Sequence, residues 1–404
     1  MTARSIASPT PGRVPRLAFI STMEGAAWGG SESLWSATAQ EALGQGMEVA
    51  ISTFASKGPA RRVQELVGAG AKWFPWTVPA RESFLKRMTR RIVGGIPIAG
   101  DPLTLRLSSF KQIFGFRPDA VCISQGGTYD ILGHEALRVR LEQSRLPYLV
   151  LCRGNDDHFS VWPERRAQTI RFLEGAAQIG FASETNIASA RRQLASPLRN
   201  ATVIQSPIGI QTAPALPWPS GTVAQFATVA RLHAGNKGHD LLFQALAAPQ
   251  WRTRDWHLTL YGDGPDRAWL EDLARFLEIA DRITFAGHVD EIVPLWQKSH
   301  LLLLPSRTEG APQALIQAML CGRPAVVTDV GGCREWLSEA ETGFIAAGTT
   351  APLISDALER AWQARDCWEK MGRAANQASI AKLDPAPQSR LLEKLCCLAV
   401  QSPA

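Results

Sequence analysis

Three charged side chains follow predicted strands in the second half of the chain and could together bind a phosphorylated sugar. Arg231 and Lys237 stand six residues apart after the apolar run 225–229, and Glu309 follows the apolar run 301–304. Two cations on one short loop can clamp a pyrophosphate, Arg through paired donors and Lys as a point charge. A carboxylate accepts hydrogen bonds from sugar hydroxyl groups. Plain solvent exposure of the two cations remains the alternative, because Arg and Lys are usually exposed.

Backbone N–H groups offer a further phosphate-binding element in each half of the chain. Gly29 and Gly30 follow the first predicted strand and open a helix, where glycine lets the backbone pass close to a phosphate. Gln313 and Ala314 begin a predicted helix whose free N–H groups lie at the same edge as Glu309. A Gly-Gly pair alone is usually only a tight turn. No GxGxxG fingerprint is present, so bound NAD is not favoured.

The strand predicted at 148–152 ends in polar residues that are candidates for the acceptor side of a cleft. These are Arg153, Asn155 and Asp156, and they are placed there because the carboxyl ends of parallel strands share one edge. An arginine at this edge could bind an anionic acceptor or a phosphate. The pair Asp156 and Asp157 suggests metal binding only weakly, since the chain has no D-x-D triplet. We therefore expect no metal.

Apolar runs that alternate with amphipathic stretches predict the elements that position these residues. A helix is expected at 33–43, and strands are expected at 17–21, 49–54, 120–124, 148–152, 225–229, 257–261, 283–285, 301–304 and 325–328. Two successive series of strands and helices indicate an α/β protein. The predicted fold is two doubly wound Rossmann-like domains that face each other across a cleft.

Four prolines between positions 207 and 219 divide the chain, because that composition is typical of a linker. The amphipathic stretch 388–400 predicts a last helix. The expected organisation is a disordered tail at 1–13, a first domain at 14–210, a linker at 211–222, a second domain at 223–384 and a C-terminal segment at 385–404.

Composition sets wide limits on function. The 404 residues are 45% apolar and 20% charged, which is typical of a soluble protein with two cores. A net charge of +6 fits nucleic acid, anionic membranes or anionic substrates without choosing among them. Seven scattered cysteines without a CxxC motif indicate a reducing cytosol. No signal peptide and no apolar run of roughly 20 residues is present, so membrane contact is expected to be peripheral.

One stretch is a candidate for that peripheral contact. Residues 81–96 carry apolar side chains at helical spacing with Lys and Arg beside them, a pattern that suits an anionic membrane surface. An ordinary surface helix with a basic outer face is the alternative.

The phrase at 303–335 closely resembles the GT-B fold, family-4-type retaining glycosyltransferases, also called glycosyl transferases group 1. The family carries a Glu, seven residues, and a second Glu. Glu309 matches the first position, whereas Gln317 stands at the second. The family also places an Arg and a Lys at the spacing of Arg231 and Lys237, preceded by a Gly where this chain has Ala230.

The resemblance implies roles for these residues. The catalytic residues would be Glu309, which would contact hydroxyl groups of the donor sugar, and Arg231 and Lys237, which would hold the pyrophosphate. The ribose would be held by Gln317. The nucleotide base would lie against Val289. The remaining donor-binding residues implied are Gly29, Gly30, Gly310, Gln313 and Ala314. The family often has a His where this chain has Arg153, and its C-terminal segment can cross back onto the first domain.

The same resemblance implies the reaction. A glycosyl group would pass from a nucleotide diphosphate sugar to a carbohydrate or lipid-linked acceptor, with retention of configuration and without a metal or other cofactor. The expected setting is polysaccharide or cell-surface glycan synthesis, in the cytoplasm or peripherally on the inner face of the membrane, with no nucleic acid as partner. The departures at Gln317 and Arg153 leave two alternatives. These are a non-catalytic partner subunit that binds sugar nucleotides, and a GT-B epimerase or hydrolase of nucleotide sugars.

Overall fold

The computed structural model describes residues 13–24, 28–54, 58–76, 110–210 and 214–401. The described strands of the first domain, β1 to β7, are Arg16–Ser21, Glu48–Ser52, Lys72–Trp73, Ala120–Gln125, Tyr148–Cys152, Gln178–Phe181 and Ala201–Val203. Those of the second domain, β8 to β13, are Ala224–Val229, Trp256–Tyr261, Ile283–Gly287, Leu301–Leu304, Ala325–Thr328 and Gly343–Ala346.

Each domain is built on one parallel sheet, and the strand order fixes where a ligand can lie. The first sheet has the order β3-β2-β1-β4-β5-β6-β7, and the second has the order β10-β9-β8-β11-β12-β13. In both sheets the chain reverses its direction of travel between two central strands, β1 and β4 in the first and β8 and β11 in the second. Ligands of such sheets bind beyond the carboxyl ends of the strands at this reversal. The expectation of two doubly wound Rossmann-like domains is confirmed.

Helices cover both faces of the sheets, and several central strands are buried along their whole length, as parallel sheets require. The first domain has described helices at Ser33–Gly44, Arg61–Gly68, 110–115, Glu135–Ser144, Pro163–Gly175 and Glu184–Leu194. The second has helices at Ala234–Lys237, His239–Leu246, Pro249–Arg252, Arg267–Phe276, Val293–Lys298, Gln313–Leu320, Cys333–Trp336, Ala351–Gln363 and Trp368–Lys382. None of the described helices has the length and apolar character needed to cross a bilayer.

The last helix, Pro387–Gln401, packs on the first domain rather than the second. Leu391, Leu392 and Leu395 are buried in the same apolar cluster as Leu34 and Trp35. The chain therefore crosses between the domains twice, once in each direction.

One amide side chain ties these two crossings together. Gln205 donates from Nε2 to the carbonyl of Lys382 and accepts from the N–H of Asp384 through Oε1, at 2.9 and 2.8 Å. The hinge between the domains is thus cross-linked by two hydrogen bonds.

The predicted strands are present, with small differences at their ends and four additions. The strand expected at 49–54 is Glu48–Ser52, and Phe54 makes only an isolated bridge to Trp76. Short strands absent from the prediction are β3, β6, β7 and β13. In β6, Gly180 interrupts the apolar pattern because a Cβ atom there would press on Ile204 and Leu151. The tail at 1–12 and the basic stretch 81–96 lie outside the described residues.

Candidate functional site

Lys237 and Glu309 meet at the carboxyl ends of the two central strands of the second sheet. β8 and β11 pair directly, Lys237 follows the first, and Glu309 follows the second. Lys237 Nζ lies 2.6 Å from Glu309 Oε1, and Ser306 Oγ donates to the same oxygen at 2.7 Å. The carboxylate side chain is 9% exposed and the lysine side chain is 26% exposed. No described residue donates to Glu309 Oε2, which leaves that oxygen available to a ligand.

The loop that carries Lys237 is fixed to the loop that carries Glu309 by a second ion pair. Arg307 binds both carboxylate oxygens of Asp240, at 2.7 and 2.8 Å, and donates to the carbonyl of Ala234. Burial opposes the ionisation of Asp240, but the hydrogen bonds from Arg307 bring its pKa below the usual value. Gly238 has φ +64°, and a Cβ atom there would overlap the carbonyl oxygen of Pro305. These contacts give Lys237 one position.

Arg231 is the exposed member of the predicted cation pair. Its guanidinium is exposed and bonds to no described residue, so its donors are available to a ligand. The backbone beneath it is held by the turn after β9. A Cβ atom at Gly262 would overlap the carbonyl oxygen of Ala230, and one at Gly264 would overlap that of Leu232. The turn at residues 261–265, with the sequence Tyr-Gly-Asp-Gly-Pro, therefore supports the Arg231 loop.

The glycine loop of the first domain lies against the helix start of the second. Gln313 Nε2 donates to Ser33 Oγ at 3.2 Å, and a Cβ atom at Gly30 would lie 3.3 Å from Gln313 Oε1. Gly29, Gly30, Gln313 and the adjacent Ala314 are thus brought together from opposite sides of the cleft. Free N–H groups of a helix start favour an anion, so phosphate binding fits this position.

A buried carboxyl group supports the glycine loop from below. Glu32 is 2% exposed and accepts hydrogen bonds from Ser21 Oγ at 2.9 Å and from Trp35 Nε1 at 2.8 Å. Ser31 Oγ is a weaker donor to the same carboxyl group, at 3.4 Å. Burial raises the pKa of Glu32 to about 7, against the lowering effect of these hydrogen bonds.

The domains touch at the edge of the cleft, next to Glu309. Gly310 lies so close to the first domain that a Cβ atom there would overlap the carbonyl oxygen of Arg153. The Glu335 carboxylate accepts the backbone N–H groups of Glu184 and Thr185, at 3.2 and 2.9 Å. A carboxylate of one domain thus caps the helix Glu184–Leu194 of the other. The two domains are therefore in direct contact at this edge of the cleft.

The acceptor-side expectation for Arg153 needs correction. Its guanidinium is buried and donates to the carbonyl of Ile204 and to Ser206 Oγ, both at 2.8 Å. Burial lowers the pKa of this group to about 10. Its side chain therefore holds the end of β5 against the segment that follows β7 instead of offering donors to an acceptor anion.

Asn155 and Asp156 lie further along the same loop. Asn155 is buried, donates from Nδ2 to Gln193 Oε1 at 3.0 Å, and leaves Oδ1 without a partner among the described residues. Asp156 is exposed and accepts the N–H of His158 at 3.0 Å.

Gln317 and Val289 are the residues predicted to contact the ribose and the base. Gln317 donates from Nε2 to the carbonyl of Ile208, at the end of the first domain, at 3.1 Å, a bond that a glutamate could not make. Val289 is half-buried and, like Tyr261 and Ile292, packs against the apolar cluster that includes Trp296.

Ser306, Ser33 and Ile208 are site contacts that the sequence reasoning missed. Only Ser306 carried a usable signal, because it stands three residues before Glu309 in the same phrase. In the described part of the chain, no cluster of His, Cys, Asp and Glu could hold a metal ion. Independence of a metal remains a prediction.

Comparison with known proteins supports the resemblance. Residues 224–364 match the family described as Glycosyl transferases group 1. A segment of 151 residues is 31% identical to alpha-D-kanosaminyltransferase of Streptomyces kanamyceticus, covering 37% of this chain and 39% of that protein. A segment of 106 residues is 36% identical to N-acetyl-alpha-D-glucosaminyl L-malate synthase of Bacillus anthracis, covering 26% and 28%. The chain thus aligns with less than two fifths of either relative.

Solved structures extend the similarity to both domains. Sucrose-phosphate synthase from Thermosynechococcus elongatus superposes with a TM-score of 0.71 at 16% identity, over 96% of this chain and 100% of that one. HepE of Anabaena, solved in complex with UDP, gives a TM-score of 0.67 at 15% identity over 95% and 100%. The predicted resemblance to GT-B, group 1 glycosyltransferases is confirmed.

Proposed function

We propose that this protein is a glycosyltransferase that moves a sugar from a nucleotide diphosphate sugar to a hydroxyl group of a glycan or lipid-linked acceptor. The observation that carries the proposal is the geometry at Glu309. Lys237 and Ser306 occupy Oε1, so Oε2 is left to accept hydroxyl groups of the donor sugar. The names of the relatives, which include a kanosaminyltransferase, and the UDP held by HepE support the same class of donor.

The diphosphate leaving group would be stabilised from both domains. Arg231 and Lys237 supply two positive charges, and the backbone at Gly30 and the helix start at Gln313 supply N–H groups. Such preorganised donors lower the barrier because they act where negative charge develops in the transition state. Two cations and a helix start suffice in principle without a metal, which is the basis for proposing metal independence.

The proposed reaction retains configuration at the anomeric carbon. The acceptor oxygen approaches from the side of the leaving group, the bond from the anomeric carbon to the diphosphate oxygen breaks, and the acceptor proton passes to the departing phosphate. Gly310 and Glu335 contact the first domain, and such contacts would hold the domains together while a closed cleft excludes water from this step. We place the reaction in polysaccharide or cell-surface glycan synthesis in the cytoplasm.

One observation favours the alternative function, a non-catalytic subunit that binds sugar nucleotides. Gln317 stands where the family has its second Glu, and its amide is engaged by Ile208. The uncharged amide of Gln317, already bound to Ile208, would contact a ribose more weakly than a carboxylate does.

A panel of UDP, GDP, ADP and CMP, each with and without an attached sugar, separates these functions. Thermal shift identifies the donor, since a ligand that binds only the folded state raises the melting temperature. Mass spectrometry then follows transfer from that donor to an acceptor mixture, with Glu309→Gln as the control. Transfer by the wild type alone supports the glycosyltransferase. Binding without transfer or hydrolysis supports the binder, and no binding to a folded protein refutes both.

A further inference from the structure

Two large aromatic side chains are exposed on the loop that leaves β5 on the acceptor side of the cleft. Phe159 is 41% exposed and Trp162 is 53% exposed. Val161 between them is buried in the core of the first domain, so this part of the loop is anchored. Burying exposed aromatic rings of this size is strongly favourable, so two in one short loop indicate a binding surface.

Phe159 is held in place by neighbours. Its ring stacks on Tyr129 with 5.2 Å between centroids and 21° between planes, and its N–H donates to the carbonyl of Asp156. Tyr129 OH in turn donates to Gln193 Oε1 at 2.7 Å. A ring fixed in this way loses little conformational entropy when a ligand covers it.

The loop starts at the donor site. The carbonyl of Arg153 lies against Gly310, the residue next to Glu309, and Tyr129 follows β4, one of the strands at the chain reversal of the first sheet. The aromatic pair therefore stands on a loop that begins at this cleft, on the side of the first domain.

The loop that carries the two rings also carries polar groups of both charge signs. Asp157 accepts from Ser189 Oγ at 2.6 Å and pairs with Arg192. Asn155 has a buried Oδ1 without a partner among the described residues. Residues 156–166 and the ion-pair partner of Asp157 together carry three charged residues of each sign, which are Asp156, Asp157, Glu164, Arg165, Arg166 and Arg192. Such a surface lacks the excess of positive charge that an anionic membrane attracts.

We propose that Phe159 and Trp162 form a stacking platform for the saccharide part of the acceptor. One face of a pyranose ring is apolar because its C–H bonds point to that side, and its edge carries hydroxyl groups. An aromatic ring bordered by amides and carboxylates matches both features. The inference rests on the proposed function, and it implies that the acceptor already carries sugars before the transfer takes place.

Binding to a printed array of defined neutral oligosaccharides tests the platform, using the full-length protein. The variants are Phe159→Ala, Trp162→Ala and Trp162→Phe. The matched control is Trp269→Ala, which removes a tryptophan that is 49% exposed on the second domain. Wild type and Trp269→Ala should bind the same oligosaccharides. Trp162→Ala should bind at least about tenfold more weakly, and Trp162→Phe should recover part of the loss.

The same proteins are titrated with UDP and GDP and sedimented with vesicles of phosphatidylcholine and phosphatidylglycerol. Lost oligosaccharide binding with unchanged nucleotide binding supports the platform. Absent nucleotide binding in the wild type instead refutes the proposed function. A wild type that binds no oligosaccharide, or a Trp162→Ala variant with unchanged oligosaccharide affinity, overturns the platform. Loss of vesicle binding alone also overturns it and assigns this surface to membranes.

Discussion

Lys237 and Glu309 are 72 residues apart in the chain, yet Lys237 Nζ lies 2.6 Å from Glu309 Oε1. The ammonium group of Lys237 is suited to bind phosphate, and the carboxylate of Glu309 is suited to bind sugar hydroxyl groups. Removing either partner should therefore change a different property of the protein.

Lys237→Ala should weaken binding of the nucleotide diphosphate by about 1.5–3 kcal/mol, because one charge-assisted contact to phosphate is lost. Glu309→Gln should leave nucleotide affinity equal or higher, since Lys237 is freed from its partner, while kcat falls by about 100-fold. Calorimetry with the nucleotide and initial rates of transfer measure the two effects. Equal losses of nucleotide affinity in both variants would contradict this division of roles.

Gly310→Ala should hold the domains apart, because the new Cβ atom would overlap the carbonyl oxygen of Arg153. We expect a larger radius of gyration in small-angle scattering and kcat/KM lowered by about tenfold or more, since closure excludes water and aligns the groups. Gly68→Ala is the control, as a Cβ atom there meets nothing within 4 Å. A Gly310→Ala variant with wild-type scattering and wild-type rate would refute the role of this contact.

Glu32→Gln should change how stability depends on pH. Burial raises the pKa of Glu32 to about 7 from 4.5, so the folded state favours the neutral carboxyl group. The contribution of this group to the free energy of unfolding is therefore complete below pH 4.5. That contribution is lost as pH rises toward about 7, and it amounts to on the order of 3 kcal/mol. The amide cannot ionise, so Glu32→Gln should become more stable relative to wild type between pH 5 and pH 8, by about that amount. Parallel curves of melting temperature against pH would rule out the buried acid.

Gln317→Glu restores the residue type of the family but should destabilise this protein. The carboxylate cannot donate to the carbonyl of Ile208, which would lose its partner and face a negative charge. We expect a loss of about 1–3 kcal/mol in chemical denaturation. The control is Gln64→Glu, which breaks an exposed amide bond to the carbonyl of Pro59 and should stay within about 0.5 kcal/mol. Equal losses of the free energy of unfolding at both positions would show that the bond from Gln317 to Ile208 does not stabilise the protein.

The sequence predicted the central strands well, because each is a compact apolar run. Leu301–Leu304, Ala325–Thr328 and Tyr148–Cys152 have the same bounds in the prediction and in the structure. The sequence did not predict the short strands β3, β6, β7 and β13, which lie at or near the edges of the sheets. Ala201–Val203 has only three residues and is half-buried, so its pairing with β6 depends on the sheet rather than on its own pattern.

The meeting of Lys237 and Glu309 was predictable because both residues stand in short motifs next to strand ends. The direction of a side chain was not, and Arg153 illustrates this. Its partners, Ile204 and Ser206, lie more than 50 residues away, in a segment without a motif. The bonds from Gln313 to Ser33 and from Gln317 to Ile208 also join distant parts of the chain. No local pattern encodes such pairs, since the first depends on the folding of the whole first domain and the other two on the docking of the two domains.

Nucleotide titration of Arg231→Ala tests the central claim most directly. Arg231 is exposed and bonds to no described residue, so its removal should leave the melting temperature of the free protein unchanged. The matched control is Arg171→Ala, an exposed arginine of the first domain that also has no hydrogen bond or ion pair with a described residue. With the preferred nucleotide diphosphate, Arg231→Ala should bind about 1.5–3 kcal/mol more weakly than wild type, and Arg171→Ala should match wild type. Unchanged affinity in Arg231→Ala would contradict the assignment of this loop as the diphosphate clamp.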